Sequence, residues 1–177
     1  DVFESEIAEN GEKIINLRKR YLETLSEFLP KLYDGISKGK EILETNYICS
    51  CEENLAEKLK ESRKEDMFSG VTSCGPHRDD IEFKINGISA RSFGSQGQKR
   101  SVALAVKLAE AEVIRKKTGE CPVILLDDVM SELDQKRQDF LLENTEENQV
   151  FITCCEPLSS ERLKNAKLFE VCEGVVS

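Results

Sequence analysis

A short segment rich in serine and glycine is the first part of the sequence whose residues could do chemistry. It spans residues 92–100 with the sequence SFGSQGQKR and immediately precedes a predicted long helix. Free backbone N–H groups and the positive end of the helix dipole make such a helix start an anion site, and the Ser95 hydroxyl would lie beside them. The same residues also suit an ordinary cap, in which Gly94 permits the turn and Ser95 accepts a backbone hydrogen bond. Taken alone, the segment leaves both interpretations open.

Two adjacent carboxylates form the second candidate site. Asp127 and Asp128 directly follow the apolar residues 123–126, which are typical of a strand in a parallel sheet. Ligands bind beyond the carboxyl ends of such strands. One carboxylate can hold Mg²⁺, directly or through water, and its neighbour can orient or deprotonate a water molecule. A plain strand that ends in a polar turn is the alternative, although adjacent acids repel each other unless a cation or donor compensates.

A third motif, Ser-Glu-Leu-Asp at residues 131–134, follows at once. By itself it predicts a helix start with a capping box. The order of the three motifs is more informative than any one of them. A Ser-x-Gly-Gln helix start, an apolar strand with Asp-Asp and a Ser-x-Leu-Asp turn resemble the signature, Walker B and D-loop of ABC-type ATPases. The combination is hard to obtain by chance.

The residues within and around these motifs resemble those of the RecF family of DNA-repair ATPases. The segments that carry the resemblance are GPHRDD at residues 75–80, FGSQGQKR at 93–100 and LLDDVMSELD at 125–134. Transport ABC proteins usually have Glu at the second Walker B position, and Asp128 fits the RecF pattern instead. The resemblance spans essentially the whole chain and is weakest over the first 65 residues.

The resemblance implies a role for each acid of the pair. Asp127 would be the acid associated with Mg²⁺, and Asp128 would be the catalytic acid that activates water. Many ABC proteins place a histidine after the strand beyond the D-loop. This chain has Thr153 in that strand and no histidine nearby, so Thr153 is the candidate for the switch position that senses the γ-phosphate.

The remaining implied contacts concern the helix start and the D-loop. Ser95, with the amide of Gly97, would contact the γ-phosphate of ATP held by the opposite protomer, and Gln98 belongs to the same ATP-binding group. Asp134 would lie at the dimer interface. In this family ATP sits between two heads, so nucleotide binding would drive homodimerisation.

A Walker A loop, G-x-x-x-x-G-K-[ST], is absent from the sequence. The nearest candidate, residues 35–41, fails because Gly39-Lys40 is followed by Glu41 and Gly35 is one residue too close. In the RecF family the helical arm is inserted between the two halves of the head. We therefore expect this chain to be an internal or C-terminal fragment that lacks ATPase activity alone, while the intact protein is an ABC-type ATPase.

The helices and strands that position these motifs are predicted from the spacing of apolar residues and from the glycines and prolines between them. A stripe of apolar residues at helical spacing predicts a long helix over residues 1–29. The sequence then predicts helices and strands, with a hairpin at Asn86-Gly87; the further helices are 52–64, 97–117 and 135–143, and the strands are 42–51, 71–74, 81–85, 122–126, 150–155 and 167–172. Alternating strands and helices predict an α/β fold with a parallel sheet.

These elements divide into two predicted domains. Residues 1–68 would form a helical arm, either packed as a plain helical hairpin or projecting as a coiled coil. Residues 69–177 would form the C-terminal part of an ABC head. The parallel strands are expected to be covered on both faces.

The composition limits the remaining function classes. The chain carries seven cysteines, one histidine and a formal net charge of −9. The cysteines lack zinc-site spacing, so we expect buried, reduced thiols of a cytosolic protein. No apolar run approaches the roughly 20 residues that cross a membrane. A DNA-binding parent would need its main basic surface elsewhere or on assembly.

His77 lies in the polar cluster of residues 75–80 and invites a catalytic role. One interpretation is a structural turn held by internal ion pairs. The other is a position near the nucleotide or the dimer interface.

The RecF resemblance implies a function for the intact protein. It would bind and slowly hydrolyse ATP, bind DNA at single-strand gaps or duplex junctions, and help RecO and RecR to load recombinase during repair and the SOS response. One alternative is another ABC head, from a chromosome-structure or break-repair protein. Another is a protein-binding module whose arm docks a partner such as RecR.

Overall fold

The computed structural model describes residues 2–52, 54–155 and 166–176, which belong to two compact units, Asp1–Glu120 and Cys121–Ser177. The first unit combines helices with a sheet in the antiparallel order β1-β2-β3. Its helices are α1 (Val2–Ser26), α2 (Leu29–Ser37), α3 (Leu55–Ser69), α4 (Ala90–Phe93) and α5 (Gln96–Thr118), and its strands are β1 (Leu43–Ile48), β2 (Asp80–Ile85) and β3 (Ile88–Ser89).

The second unit contains the parallel strands that the motifs require. Strand β4 (Ile124–Asp127) pairs in parallel with β5 (Val150–Thr153), and the helix α6 (Gln135–Glu143) connects them after a 3₁₀ turn, Met130–Glu132. A small antiparallel hairpin, β6 (Val171–Cys172) and β7 (Val175–Val176), follows. A parallel strand pair joined by a helix confirms the predicted α/β class.

Helix α1 packs against α3 and α5 in the first unit. Gly11 is buried on α1, and a Cβ atom at this position would lie 2.5 Å from Cδ2 of Leu55 on α3. The lack of a side chain at Gly11 therefore allows α3 to approach closely. One apolar cluster joins α1, α3 and two cysteines outside the helices, with buried members Ala8, Ile15, Cys51, Leu55, Leu59 and Cys74.

Helix α2 lies outside the predicted elements, since Pro30, Gly35 and Gly39 are residues that usually end a helical pattern. Proline is tolerated in the first turn of a helix, where its missing N–H would have no partner. Pro30 occupies that position in α2, and Lys38 ends the helix in the left-handed conformation at φ 59°. Leu29 and Tyr33 of α2 are fully buried, so burial of this apolar face outweighs the tendency of the proline and glycines to end a helix.

Two predicted strands differ from the structure. Residues 71–74 form no strand, since they follow the end of α3 and their polar groups serve a turn. The predicted strand at 167–172 is reduced to Val171–Cys172. The division at residues 68/69 stays a prediction; β1 and β2, which lie on either side of it, pair in one sheet.

The expectation that the parallel strands are covered on both faces is wrong for this chain. Leu125 of β4 is 74% exposed and Phe151 of β5 is 53% exposed, so one side of this strand pair is open among the described residues. The expectation of buried cysteines is also wrong in part. All are free; Cys51 and Cys74 are buried, but Cys121, Cys154, Cys155 and Cys172 are exposed.

None of the helices in the described ranges is long and apolar enough to cross a bilayer.

Candidate functional site

The start of α5 is held by a reciprocal capping box. Ser95 is the N-cap, in the extended conformation, and its Oγ accepts a hydrogen bond from the Gln98 amide at 3.2 Å. The Gln98 side-chain Oε1 accepts in return from the Ser95 amide at 2.8 Å. Each residue thus satisfies one backbone donor of the other. The cap interpretation of Ser95 is correct, and it leaves the Ser95 hydroxyl proton available for another acceptor.

Gly94 is required at this tip for space. Its φ is −64°, which any residue can adopt, but an added Cβ would lie 2.4 Å from the backbone oxygen of Ala90. The Gly94 amide donates to that same oxygen at 3.0 Å. The absence of a side chain therefore lets α4 turn directly into the cap of α5.

Two amides at the tip remain free for a ligand. The N–H groups of Gln96 and Gly97 have no acceptor among the described residues, as expected for the first turn of a helix. Together with the exposed Ser95 hydroxyl and the positive end of a 23-residue helix, they suit an anionic group. The structure thus brings the predicted residues Ser95, Gly97 and Gln98 together in one small surface.

The acid pair is organised by the parallel pairing of β4 and β5. The strand register places Asp127 directly beside Thr153. The Thr153 hydroxyl donates to Oδ1 of Asp127 at 2.6 Å and accepts from the backbone amide of Asp128 at 3.0 Å. Thr153 therefore joins the two acids through one oxygen atom, and three of the predicted site residues meet at the carboxyl end of the strand pair.

Asp128 adopts a left-handed backbone conformation, with φ 50°. Such a conformation is uncommon for residues other than glycine, although aspartate tolerates it better than most, and it concentrates at functional sites. Two hydrogen bonds hold it: the Asp128 amide donates to Thr153, and the Ser131 hydroxyl donates to the Asp128 carbonyl oxygen at 2.9 Å. The turn directs the chain from β4 into the D-loop while both carboxylates stay exposed.

The Asp127 carboxylate fits the needs of Mg²⁺. Its Oδ1 accepts from Thr153, and its Oδ2 receives no hydrogen bond from the described residues. Mg²⁺ is usually held by only one or two carboxylates, with water and phosphate oxygens completing the octahedron. No group of three or more His, Cys, Asp or Glu side chains suited to a metal is found among the described residues. A single exposed carboxylate, completed by ligands from outside this chain, is the form that a magnesium contact at Asp127 would take.

Asp134 caps the following helix. Its Oδ1 accepts from the Arg137 amide at 3.0 Å, and its Oδ2 accepts from Nη1 of Arg137 at 2.8 Å. The side chain of Gln138 donates to the carbonyl oxygens of Met130 and Leu133 and so fixes the loop before it. Asp134 is exposed. Its cap role is structural, and its predicted role at a dimer interface stays a prediction.

The polar cluster at residues 75–80 contains a hydrogen-bonded carboxylate. Asp79 accepts from the backbone amide and the hydroxyl of Ser50, both at 2.8 Å, and from the Tyr47 hydroxyl. Burial raises the pKa of Asp79, but these hydrogen bonds outweigh it and hold that pKa below its ordinary value. Burial and the contact with Asp79 raise the pKa of Tyr47 to about 12. Ionised Asp79 therefore connects the turn to β1 and to Ser50 through these hydrogen bonds.

The other members of the cluster also make structural contacts. His77 Nε2 lies 3.2 Å from the carbonyl oxygen of Thr72, and Arg78 donates to the same oxygen. Asp80 forms a two-bond ion pair with Arg91, which is the main reason that the pKa of Asp80 is lowered. These contacts support the structural interpretation of the turn, although the ion pair reaches a residue outside the cluster.

Sequence reasoning missed one residue at the helix tip, Glu41. It was considered only as the residue that spoils a Walker A match, yet its carboxylate accepts a hydrogen bond from Gln98. No local pattern could have identified it, because the two residues are 57 positions apart.

The seven predicted site residues fall into the two compact units. Ser95, Gly97 and Gln98 belong to the first, while Asp127, Asp128, Asp134 and Thr153 belong to the second.

Comparison with known proteins supports one family. The DNA replication and repair protein RecF of Clostridium kluyveri is 41% identical over 99% of this chain and 50% of the relative. The RecF protein of Clostridium acetobutylicum is 45% identical over 86% of this chain and 44% of the relative. The chain thus spans about half the length of the curated relatives it matches. No protein-family model matches it.

Solved structures give the same result for the fold. A structure of the recombination mediator protein RecF-ATP in the RecFOR pathway matches with a TM-score of 0.82 at 37% identity, and it covers 99% of this chain and 49% of that one. A structure of RecF-ATPrS in the same pathway also matches with a TM-score of 0.82. Sequence and fold therefore identify the same family along nearly the whole chain.

Proposed function

We propose, from the premise that this chain belongs to the RecF family of DNA replication and repair proteins, that it supplies the signature, Walker B and D-loop parts of an ATP site. The site is completed by a phosphate-binding loop from the rest of the intact protein. The observation that carries this proposal is the meeting of Asp127, Asp128 and Thr153 at the carboxyl end of a parallel strand pair. That edge is where open α/β sheets bind their ligands.

The helix tip at Ser95 binds the γ-phosphate of an ATP molecule held by a second protomer. The free amides of Gln96 and Gly97, the Ser95 hydroxyl and the helix dipole all favour a negatively charged group. Gln98 holds the tip in shape through the capping box. Because a phosphate that contacts two protomers favours their association, ATP binding drives homodimerisation, with Asp134 near the interface.

The acid pair carries the hydrolytic step. Asp127 holds the Mg²⁺ that would neutralise phosphate charge when bound, and Asp128 orients and deprotonates the attacking water. The Thr153 hydroxyl orients Oδ1 of Asp127 and fixes the Asp128 backbone. These contacts support the proposal that Thr153 senses the γ-phosphate, in the position where other ABC proteins use histidine.

The intact protein acts in the cytoplasm in DNA repair, replication and recombination, including the SOS response. It binds DNA at single-strand gaps or duplex junctions and works with RecO and RecR to load recombinase. The names of the matched proteins support the repair pathway. The net charge of −9 indicates that the main DNA-binding surface lies outside this chain or forms on assembly.

The test compares this chain with the intact protein. We expect no ATPase activity above background from the purified chain, because it lacks a phosphate-binding loop. The intact protein should hydrolyse ATP and change from monomer to dimer when ATP is added, as measured by phosphate release and light scattering. ATP turnover by this chain alone would contradict the proposal. So would an intact protein whose molecular mass in solution stays the same when ATP is added.

A second candidate function is protein binding by the first helix. Ile7 and Leu17 of α1 are 53% and 63% exposed, and an exposed apolar row on a helix favours a protein partner. Leu17→Glu should then reduce RecR retention by the intact protein in a pull-down assay. Lys19→Glu, on the same helix, is the control for added negative charge. Equal retention by both variants would remove this candidate.

A further inference from the structure

The side chain of Glu41 connects helix α2 to the tip of α5. Its Oε2 accepts a hydrogen bond from the Tyr33 hydroxyl at 2.6 Å, and its Oε1 accepts from Nε2 of Gln98 at 2.7 Å. Tyr33 is fully buried and Glu41 is half-buried. Hydrogen bonds to an ionised carboxylate are shorter and stronger than neutral ones. Glu41 is therefore a fixed point from which the Gln98 side chain is held.

The chemistry of Glu41 decides which way the Gln98 amide faces. A carboxylate can only accept hydrogen bonds, whereas a glutamine amide has one accepting and one donating end. Glu41 selects the orientation in which Nε2 of Gln98 faces it, so Oε1 is turned toward the Ser95 amide, which donates to it at 2.8 Å. The opposite orientation would place a donor against a donor at Ser95.

We propose that Glu41 is a positioning residue for the helix tip at Ser95. Through Gln98 it satisfies the Ser95 amide, keeps the capping box closed and aims the free amides of Gln96 and Gly97. Tyr33 contributes by fixing the second oxygen of Glu41 to the buried face of α2. The role in ATP response rests on the proposed function, whereas the role in holding the tip does not.

The first experiment measures the tip directly in this chain. Glu41→Leu removes both accepting oxygens, so the Gln98 side chain loses its fixed contact and the Ser95 and Gln98 amides should exchange with deuterium about fivefold faster or more. Tyr33→Phe removes only one donor and should have a smaller effect. Glu44→Leu is the matched control, because Glu44 is exposed and has no hydrogen bond or ion pair among the described residues; it should leave both amides unchanged.

A combined variant separates positioning from general damage. Gln98→Met removes the acceptor of the Ser95 amide itself, so adding Glu41→Leu to Gln98→Met should increase exchange at Ser95 little further. A merely destabilised chain would exchange faster again when the second substitution is added. A full additional increase in the combined variant would therefore overturn the proposal.

The second experiment uses the intact protein. Glu41→Leu should raise the ATP concentration for half-maximal dimerisation about fivefold, and Glu44→Leu should not. ATP affinity of the monomer should be unchanged, because the phosphate-binding loop lies elsewhere. If wild-type protein fails to dimerise with ATP, the proposed function fails, and the exchange experiment still tests Glu41. Unaltered exchange at Ser95 in Glu41→Leu would refute the positioning role itself.

Discussion

The helix tip at Ser95 and the acid pair at Asp127–Asp128 differ in how completely this chain builds them. The tip has a reciprocal cap, a glycine with no room for a side chain and a hydrogen-bonded connection through Glu41 to a buried helix. The acid pair rests on a two-stranded sheet with exposed Leu125 and Phe151, and one hydroxyl links its two members.

This difference follows from what each site must do. An anion site made of backbone amides is most effective when its donors are fixed in advance, since no energy is then spent on ordering them. Exposed carboxylates close together repel each other until a cation arrives. The tip is therefore preorganised within this chain, whereas under the proposed function the acid pair would be completed by a metal ion, a nucleotide and the rest of the intact protein.

Asp128→Asn should have the largest effect on this comparison. Asparagine also tolerates the left-handed backbone, so the turn survives while the water-activating base is lost. We expect ATP hydrolysis by the intact protein to fall about 100-fold or more, with ATP-driven dimerisation retained. Phosphate release and light scattering measure the two. Glu143→Gln, which changes an exposed acid in the same unit, is the control and should keep wild-type activity. Similar hydrolysis rates in the two variants would show that Asp128 takes no part in hydrolysis.

Thr153→Val should have an intermediate effect on the acid pair. Valine keeps the branched shape but removes the hydroxyl that joins Asp127 to the Asp128 amide. We expect hydrolysis by the intact protein to fall about tenfold, since orientation rather than the base itself is lost. Thr153→Ser restores a hydroxyl and should recover most of the rate. If serine is as poor as valine, the hydroxyl is not the feature that matters.

Ser95→Ala should affect stability and ATP response modestly. Loss of an N-cap side chain typically costs about 1 kcal/mol of unfolding free energy, and the Gln98 amide would lose its acceptor. Urea unfolding of this chain measures the cost. Ser92→Ala, an exposed serine three residues earlier, is the control and should change stability by less than about 0.5 kcal/mol. Equal stabilities of the two variants would mean that the tip is not preorganised by its cap.

Asp79→Asn should give the smallest effect, seen as a change in pH dependence within the unit that carries Ser95. The folded pKa of Asp79 lies below its ordinary value of 3.8, so its ionised form stabilises the fold above that pH. This contribution is lost as pH falls through the folded pKa. At pH 7 we expect the variant to be about 0.5 kcal/mol less stable than wild type, and the gap should close below about pH 4.

Chemical denaturation at several pH values measures this gap. Asp34→Asn is the matched control, because the exposed Asp34 side chain has no hydrogen bond among the described residues. If the difference in unfolding free energy between Asp79→Asn and wild type does not change with pH, the charge of Asp79 makes no contribution to stability.

The sequence by itself determined the parts of the molecule that depend on neighbouring residues. A helix over residues 97–117 and a hairpin turn at Asn86-Gly87 were predicted, and the structure confirms both; it also confirms Ser95 as a cap, one of the two interpretations that the sequence left open. Caps, turn residues and apolar periodicity act within a few positions, so they are visible in one dimension. The sequence also predicts a parallel sheet, but the pairing that brings Asp127 beside Thr153 is known only from the structure.

Only the tertiary structure decided the features that depend on distant packing. Helix α2 forms despite Pro30 and Gly35 because its apolar face is buried, and residues 71–74 leave the sheet because their polar groups serve a turn. The contact of Glu41 with Gln98 joins positions that no local pattern connects. Such contacts arise when burial of apolar surface brings separate segments together, and their free energy is not encoded in any short stretch of the chain.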